Sequence, residues 1–217
     1  MTVLSAFAGQ VKPGRFDDVV ESHRAAAKIV ERHGAKPRIL TVALGVEAYG
    51  GLALTMTFEN SEVFGACYDE LVADEEVIAM MSDARGTNTP FLSQQAIVAT
   101  EIPLSSKSSD ARGSVILASV SQLVPGKMKE AVESSTAAHA YYLSHGAVNH
   151  RLWVYTVAGS RSMMFLDAAE FDSMRAYGKL VDTFYTDSDA RHFLKAGRSA
   201  DAPTTSVSVN VYTQIPL

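Results

Sequence analysis

Apolar positions along this chain switch between a strand-like and a helical period, and the whole succession occurs twice. Thr2 to Val11 mixes small and apolar residues without a helical stripe and stops at Lys12-Pro13-Gly14, which predicts a strand buried on both faces. From Phe16 to His33 the period lengthens. Phe16, Val19, Val20, Ala26, Ala27 and Val30 form a stripe at helical spacing, ended by His33-Gly34 with glycine as the left-handed cap. Arg38 to Val46 and Leu52 to Phe58 read as a hairpin turned at Ala48-Tyr49-Gly50-Gly51, Ser61 to Met81 as a helix with a break, and Gln95 to Ile102 as a closing strand.

The pattern restarts at Val115. Pro125 to Val157 repeats Pro13 to Gly45 without a gap: Val132-Glu133-Ser134 falls on Val20-Glu21-Ser22, Ala137-Ala138 on Ala25-Ala26, and His145-Gly146-Ala147 on His33-Gly34-Ala35. The second copy is predicted to hold a strand from Val115 to Leu123 and a helix whose stripe is Met128, Val132, Ala138, Tyr142 and Leu143. Strands Arg151 to Val157 and Met163 to Leu166 follow, in a hairpin a few residues shorter, then a broken helix within Ala169 to Leu194 and a strand from Ser208 to Ile215. Both copies end on one tripeptide, Ile102-Pro103-Leu104 and Ile215-Pro216-Leu217. The predicted organisation is therefore a repeat over residues 1–104, a polar linker over 105–113 (SSKSSDARG) and a second repeat over 114–217.

Each repeat reads βαββαβ, the ferredoxin-like arrangement, in which helices cover one face of a four-stranded sheet. Leu40 to Leu44 and Leu152 to Val157 are apolar on both sides, so the bare faces need cover. The sheet of the other copy supplies it. The expected fold class is α+β, two tandem ferredoxin-like repeats packed sheet to sheet within one chain.

On this element order and duplication the chain resembles the dimeric α+β barrel superfamily. The likeness spans nearly all 217 residues and rests on no diagnostic motif. Members include cofactor-independent monooxygenases of the antibiotic-biosynthesis type, polyketide cyclases, muconolactone isomerases, NIPSNAP-like proteins, and tandem haem proteins similar to chlorite dismutase and aldoxime dehydratase. The resemblance implies a ligand pocket between the sheet and the helices of a unit; such a fold hosts several functions.

Composition narrows the partners. With 19 basic and 24 acidic residues the net charge is −5, which argues against a nucleic-acid footprint or an anionic membrane surface. A lone Cys67 excludes an internal disulfide framework and fits a reducing compartment, and no apolar run is long enough to span a bilayer, so a soluble cytoplasmic protein is expected. Homo-oligomerisation is compatible with all of this.

The candidate chemistry lies on the helical stripes. The first passes through His23, the second through Ser135 and His139, four apart on one face, with Tyr141-Tyr142 within a turn. An imidazole on a buried face must find a hydrogen-bond partner or lose its charge, and it can act as a general base near neutral pH. A satisfied core histidine is the competing reading. On the strands, Trp153 and Tyr155 share one face, as do Asn210 and Tyr212; these are expected to line a pocket of the second repeat, with barrel-interior packing an equal explanation for the first two. His33 and His145 suit helix C-termini, where a cation is favoured. His150 and Arg38, equivalent in the ungapped register, are expected to be exposed. No metal or phosphate-loop motif appears, and His192 is the candidate axial ligand only if the haem branch applies.

The expected function is a cofactor-independent enzyme that abstracts a proton from a small apolar or aromatic molecule, of monooxygenase, isomerase or cyclase type. His139 or His23 would serve as base, with Ser135, Tyr142, Trp153, Tyr155, Asn210 and Tyr212 around the substrate. A non-catalytic ligand-binding or NIPSNAP-like interaction protein and a haem enzyme are the alternatives.

Overall fold

A computed structural model of the chain describes residues 1–45, 50–86, 88–104, 111–188, 190 and 199–217. In chain order its elements are β1 (Val3–Val11), α1 (Phe16–Arg32), β2 (Lys36–Gly45), β3 (Gly51–Phe58), α2 (Ser61–Ala73), α3 (Glu75–Arg85) and β4 (Phe91–Ile102). Then come β5 (Val115–Leu123), α4 (Met128–Ser144), β6 (Asn149–Val157), β7 (Phe165–Phe171), α5 (Met174–Thr186) and β8 (Thr204–Ile215). The same βαββαβ order thus recurs in the two halves, with the second helical segment of the first half broken at Asp74.

Within each half the strands are ordered 4-1-3-2, and the edges of the two sheets also pair: β2 with β8, and β4 with β6. All neighbours are antiparallel. The eight strands therefore close into one barrel, which removes every sheet edge and gives the bare faces a common interior. Side chains alternate along the strands between bulges. Leu4, Ala6 and Ala8 of β1 point into the lumen, while Val3 and Val11 pack under the helices. Outside the barrel, α1 and α2 bury Val19, Val30 and Leu71 against β1 to β3, and α4 and α5 bury Ala138, Tyr142 and Leu180 against β5 to β7.

Local signals explain the boundaries. Helices α1 and α4 end at His33 and His145, each followed by a glycine at positive φ, Gly34 at 86° and Gly146 at 93°, and the Ala35 amide closes the turn onto the Val30 carbonyl. The Asn60 side chain accepts from the Val63 amide at 2.9 Å to start α2, and Ser173 accepts from the Ala176 amide at 3.2 Å to start α5.

Two expectations for the second half need correction. The strand expected at Met163 to Leu166 runs over Phe165–Phe171 instead, and Ala169, expected in a helix, sits in it opposite Leu117. A short 3₁₀ turn, Gly159–Arg161, and Met163 at φ 69° occupy the residues assigned to the hairpin and strand start. The second-half hairpin is therefore not shortened: β7 ends on Phe171 as β3 ends on Phe58. The final strands begin four residues earlier than expected in both halves. Residues 105–110 of the polar segment lie outside the described residues.

Gly113, at its end, is pinned. A Cβ there would lie 2.4–2.6 Å from the Phe171 backbone, its amide donates to Glu170 Oε2 at 3.0 Å, and its carbonyl accepts from Arg38. Gly113→Ala is expected to destabilise the fold by about 1–3 kcal/mol, as other overpacked sites do. An unchanged urea midpoint would show that this contact yields freely. Among the described residues no helix is long and apolar enough to cross a membrane.

Candidate active site

The two spaces between sheet and helices, equivalent by chain order, have diverged. In the first half α1, α2 and α3 stand off the sheet and leave a cavity of about 330 Å³ walled by Met56, Phe58, Phe64, Leu71, Met80 and Phe91. His23 enters it from α1, its ring 6.1 Å from that of Phe91. Burial pushes its pKa down from 6.5 to about 4. The imidazole is therefore neutral across the physiological range. It is a polar group in an apolar wall, placed where a ligand would meet it.

In the second half, side chains of α4, β6 and β7 form a hydrogen-bonded cluster at the corresponding place. Ser135 Oγ donates to Asp167 Oδ2 at 2.8 Å, and His150 Nε2 lies 2.6 Å from Asp167 Oδ1. His139 Nδ1 is 3.2 Å from the His150 carbonyl and 3.4 Å from His150 Nδ1. A carbonyl only accepts, so His139 carries its proton on Nδ1, and His150 donates from Nε2 to the carboxylate. His139 Nε2 is then left buried without a partner. Burial, and next the neighbouring His150, hold the His139 pKa below its ordinary value. The Tyr142 ring lies 5.0 Å from that of His150, and burial and the Asp167 carboxylate push its phenol far up, so it stays protonated.

Sequence reasoning placed Ser135, His139 and Tyr142 on one helical face, and the structure brings all three together. It adds His150 and Asp167, which that reasoning missed. His150 was expected to be exposed; it is wholly buried. The reason is one extra residue in the second half between Ala147 and Arg151. Arg38 lies opposite Thr55, and the residue facing Ala168 in the other hairpin is Arg151, so Arg151 and not His150 is the counterpart of Arg38. Arg38, also expected to be exposed, is buried in the lumen. Asp167 escaped notice because β7 was read as too short. A signal for both existed in the pair Phe58-Glu59-Asn60 and Phe171-Asp172-Ser173, strand end plus helix cap, whose offset is one residue longer than that of the first helices.

The remaining candidates are elsewhere. Trp153, Tyr155, Asn210 and Tyr212 sit on the opposite sheet face from His139 and line the barrel lumen, not a helix-covered pocket of the second half. His150 and Leu152 face the helices, so odd-numbered neighbours on β6 must face inward. Their aromatic and amide groups therefore belong to a third space, shared by both halves. His33 meets Glu70 at 2.5 Å, and the His145 ring stacks on Tyr141 with Nδ1 2.9 Å from the Tyr141 carbonyl, which suits helix ends. His192 lies outside the described residues. Among those described, no group of three or more His, Cys, Asp or Glu side chains is placed to hold a metal ion.

The chain's likeness to other proteins lies in its fold. No family model matches it, and no curated protein matches it in sequence. Among solved structures it is similar to an anthrone oxidase-like protein, at 16% identity and a TM-score of 0.64, over 99% of this chain and 91% of that one. A candidate monooxygenase from Fusobacterium nucleatum subsp. nucleatum superposes with a TM-score of 0.65 at 9% identity, over 99% and 93% of the two chains. The fold is the dimeric α+β barrel. A further candidate monooxygenase, from Lactobacillus acidophilus, aligns over 99% of this barrel and 93% of its own chain, with a TM-score of 0.58 and 10% identity. At these identities the barrel is shared, and the side chains of the site are this chain's own.

Proposed function

We propose that the first-half cavity binds a small, largely apolar molecule with an acidic C–H or phenolic O–H, and that His23 removes its proton in a cofactor-independent oxygenation. The observation that carries this reading is a buried, neutral imidazole facing a largely apolar cavity. In such a site a neutral base gains charge only together with the anion it creates. The resulting imidazolium and enolate stabilise one another where water does not screen them. The cavity walls orient the ring system, and Ser22, Gln94 and Gln95 add polar groups to the lining. His139 is more deeply buried and bonds into the Ser135–Asp167–His150–His139 cluster, which serves to hold the second half rigid.

Anthrone is a suitable probe, on the analogy of the anthrone oxidase-like neighbour. Deprotonation at its methylene carbon gives an electron-rich enolate, which adds dioxygen. The hydroperoxide then loses water to leave the quinone, so the oxidant is O₂ and the atoms balance. Oxygen uptake and quinone absorbance, measured with native protein against buffer, should show saturable catalysis. Saturable binding with no turnover above buffer would make the protein a carrier, and absence of both would remove the proposal.

A further inference from the structure

Inside the barrel, on the other side of the sheet from His23, lies a second cavity of about 400 Å³. An eight-stranded barrel is ordinarily just filled by its inward side chains or left with room for one small ligand. This one is underfilled, and the shortfall has a local cause. Leu40 faces Ala53 across the first hairpin where Trp153 faces Leu166 across the second, and β1 and β5 add Ala6 and Ala118 to the lining. The first half thus brings the smaller side chains to the lumen.

The underfilling shows in the exposure of the lining. Ala6, Leu40, Ile97, Ile116 and Ala118 keep 7–8% of their surface accessible, whereas Val19, Ile39 and Phe171, under the helices, keep none. Close packing leaves apolar interior residues no such remainder. The middle of the cavity is walled by these residues and Trp153, which offer water almost nothing to bond. A buried water needs two to four polar partners, and an apolar cavity of only about 150 Å³ stays dry and takes up benzene.

The charged groups that border the cavity are already engaged. Arg38 donates to Glu170 at 2.8 Å, to Gln214 at 3.0 Å and to the Gly113 carbonyl, so all three of its nitrogens are used. Arg151 lies 3.7 Å from Glu101 and 6.0 Å from the centre of the Trp153 ring. An ionised ligand entering the apolar middle would give up its hydration there without a partner.

We propose that the barrel lumen is a binding site for a compact, uncharged, apolar molecule, held by contact with Leu40, Ile116 and Trp153. The site is separate from the His23 cavity and the proposal does not depend on any turnover there. Ala8, Gln94 and Gln95 border both cavities, and the two glutamines are exposed, so the lumen is reached at the rim between β1 and β4.

Trp153 is the chain's single tryptophan, and a heavy atom quenches indole emission only on contact, so quenching reports the lumen and not the far side of the sheet. Titration of the native chain with iodobenzene should give saturable quenching. 4-Iodobenzoate, of nearly the same shape, should bind at least about tenfold more weakly because its charge must leave water. Ala53→Leu, which copies Leu166 of the second half, and Ala118→Leu should each remove the saturable response, their folds being checked by circular dichroism. Ala26→Phe, in the His23 cavity, should leave it unchanged. The proposal is overturned if quenching of the native chain rises without saturating, or if 4-iodobenzoate binds as tightly as iodobenzene. It is equally overturned if folded Ala53→Leu and Ala118→Leu respond as the native chain does, or if Ala26→Phe abolishes the signal. Should neither leucine variant fold, the two ligands and Ala26→Phe still decide.

Discussion

His23→Leu is expected to lower the anthrone oxidation rate by about 10²–10⁴-fold, the usual contribution of a positioned general base, while making the protein more resistant to acid. The two effects share one cause. In the folded chain the ring has a pKa of about 4, against 6.5 when unfolded. Between those values the unfolded chain binds a proton that the folded chain refuses, so stability is complete above about 6.5 and falls as pH drops toward about 4. The loss at the acid end amounts to about 2–3 kcal/mol, given the ring's partial access to the cavity. Leucine cannot titrate and keeps the wall apolar. Urea midpoints at pH 7 and pH 5 for both proteins test this: parallel losses on acidification would mean that His23 is not the group responsible. A leucine variant that oxidises anthrone at the native rate would place the base elsewhere.

Asp167→Ala is expected to have the largest effect on stability of any single change in the second half. The carboxylate accepts from both Ser135 and His150, and alanine leaves both donors buried without an acceptor. At about 1–3 kcal/mol for each stranded group, a loss of about 3 kcal/mol follows. Asp167→Asn keeps one accepting oxygen and should cost about half as much. Exchanging the cluster for its first-half counterparts, with Ala27 in the place of His139 and Leu54 in that of Asp167, is a separate matter. A well-packed apolar set often equals a buried polar one in stability, so removing the stranded donors as well, in Ser135→Ala/His139→Ala/His150→Leu/Asp167→Leu, should recover part of the loss. A shift in the urea midpoint worth less than about 0.5 kcal/mol for Asp167→Ala would show that the cluster contributes little.

The divergence of the two halves accounts for their different roles. Position for position, His139, His150 and Asp167 of the second half stand where the first half has Ala27, Pro37 and Leu54, and they bond to one another and to Ser135. A single polar group in an open apolar space suits substrate chemistry. A hydrogen-bonded polar cluster suits rigidity.

Periodicity and repetition in the sequence determined the element order, the helix limits and the pairing of the halves, because these depend on local spacing: the stripe from Phe16 to Val30, the His-Gly stops, the repeated Ile-Pro-Leu. They also placed His23, Ser135 and His139 on buried helical faces. Tertiary structure alone decided which faces look into which space. A strand reverses its side chains at every residue, so the one-residue insertion before Arg151 sends His150 under the helices and Arg151 into the lumen. Whether a space is open depends on how far helices stand from the sheet, which is set by packing summed over distant residues and not by any local pattern. For that reason the pocket lies with His23, while Trp153, Tyr155, Asn210 and Tyr212 line the barrel.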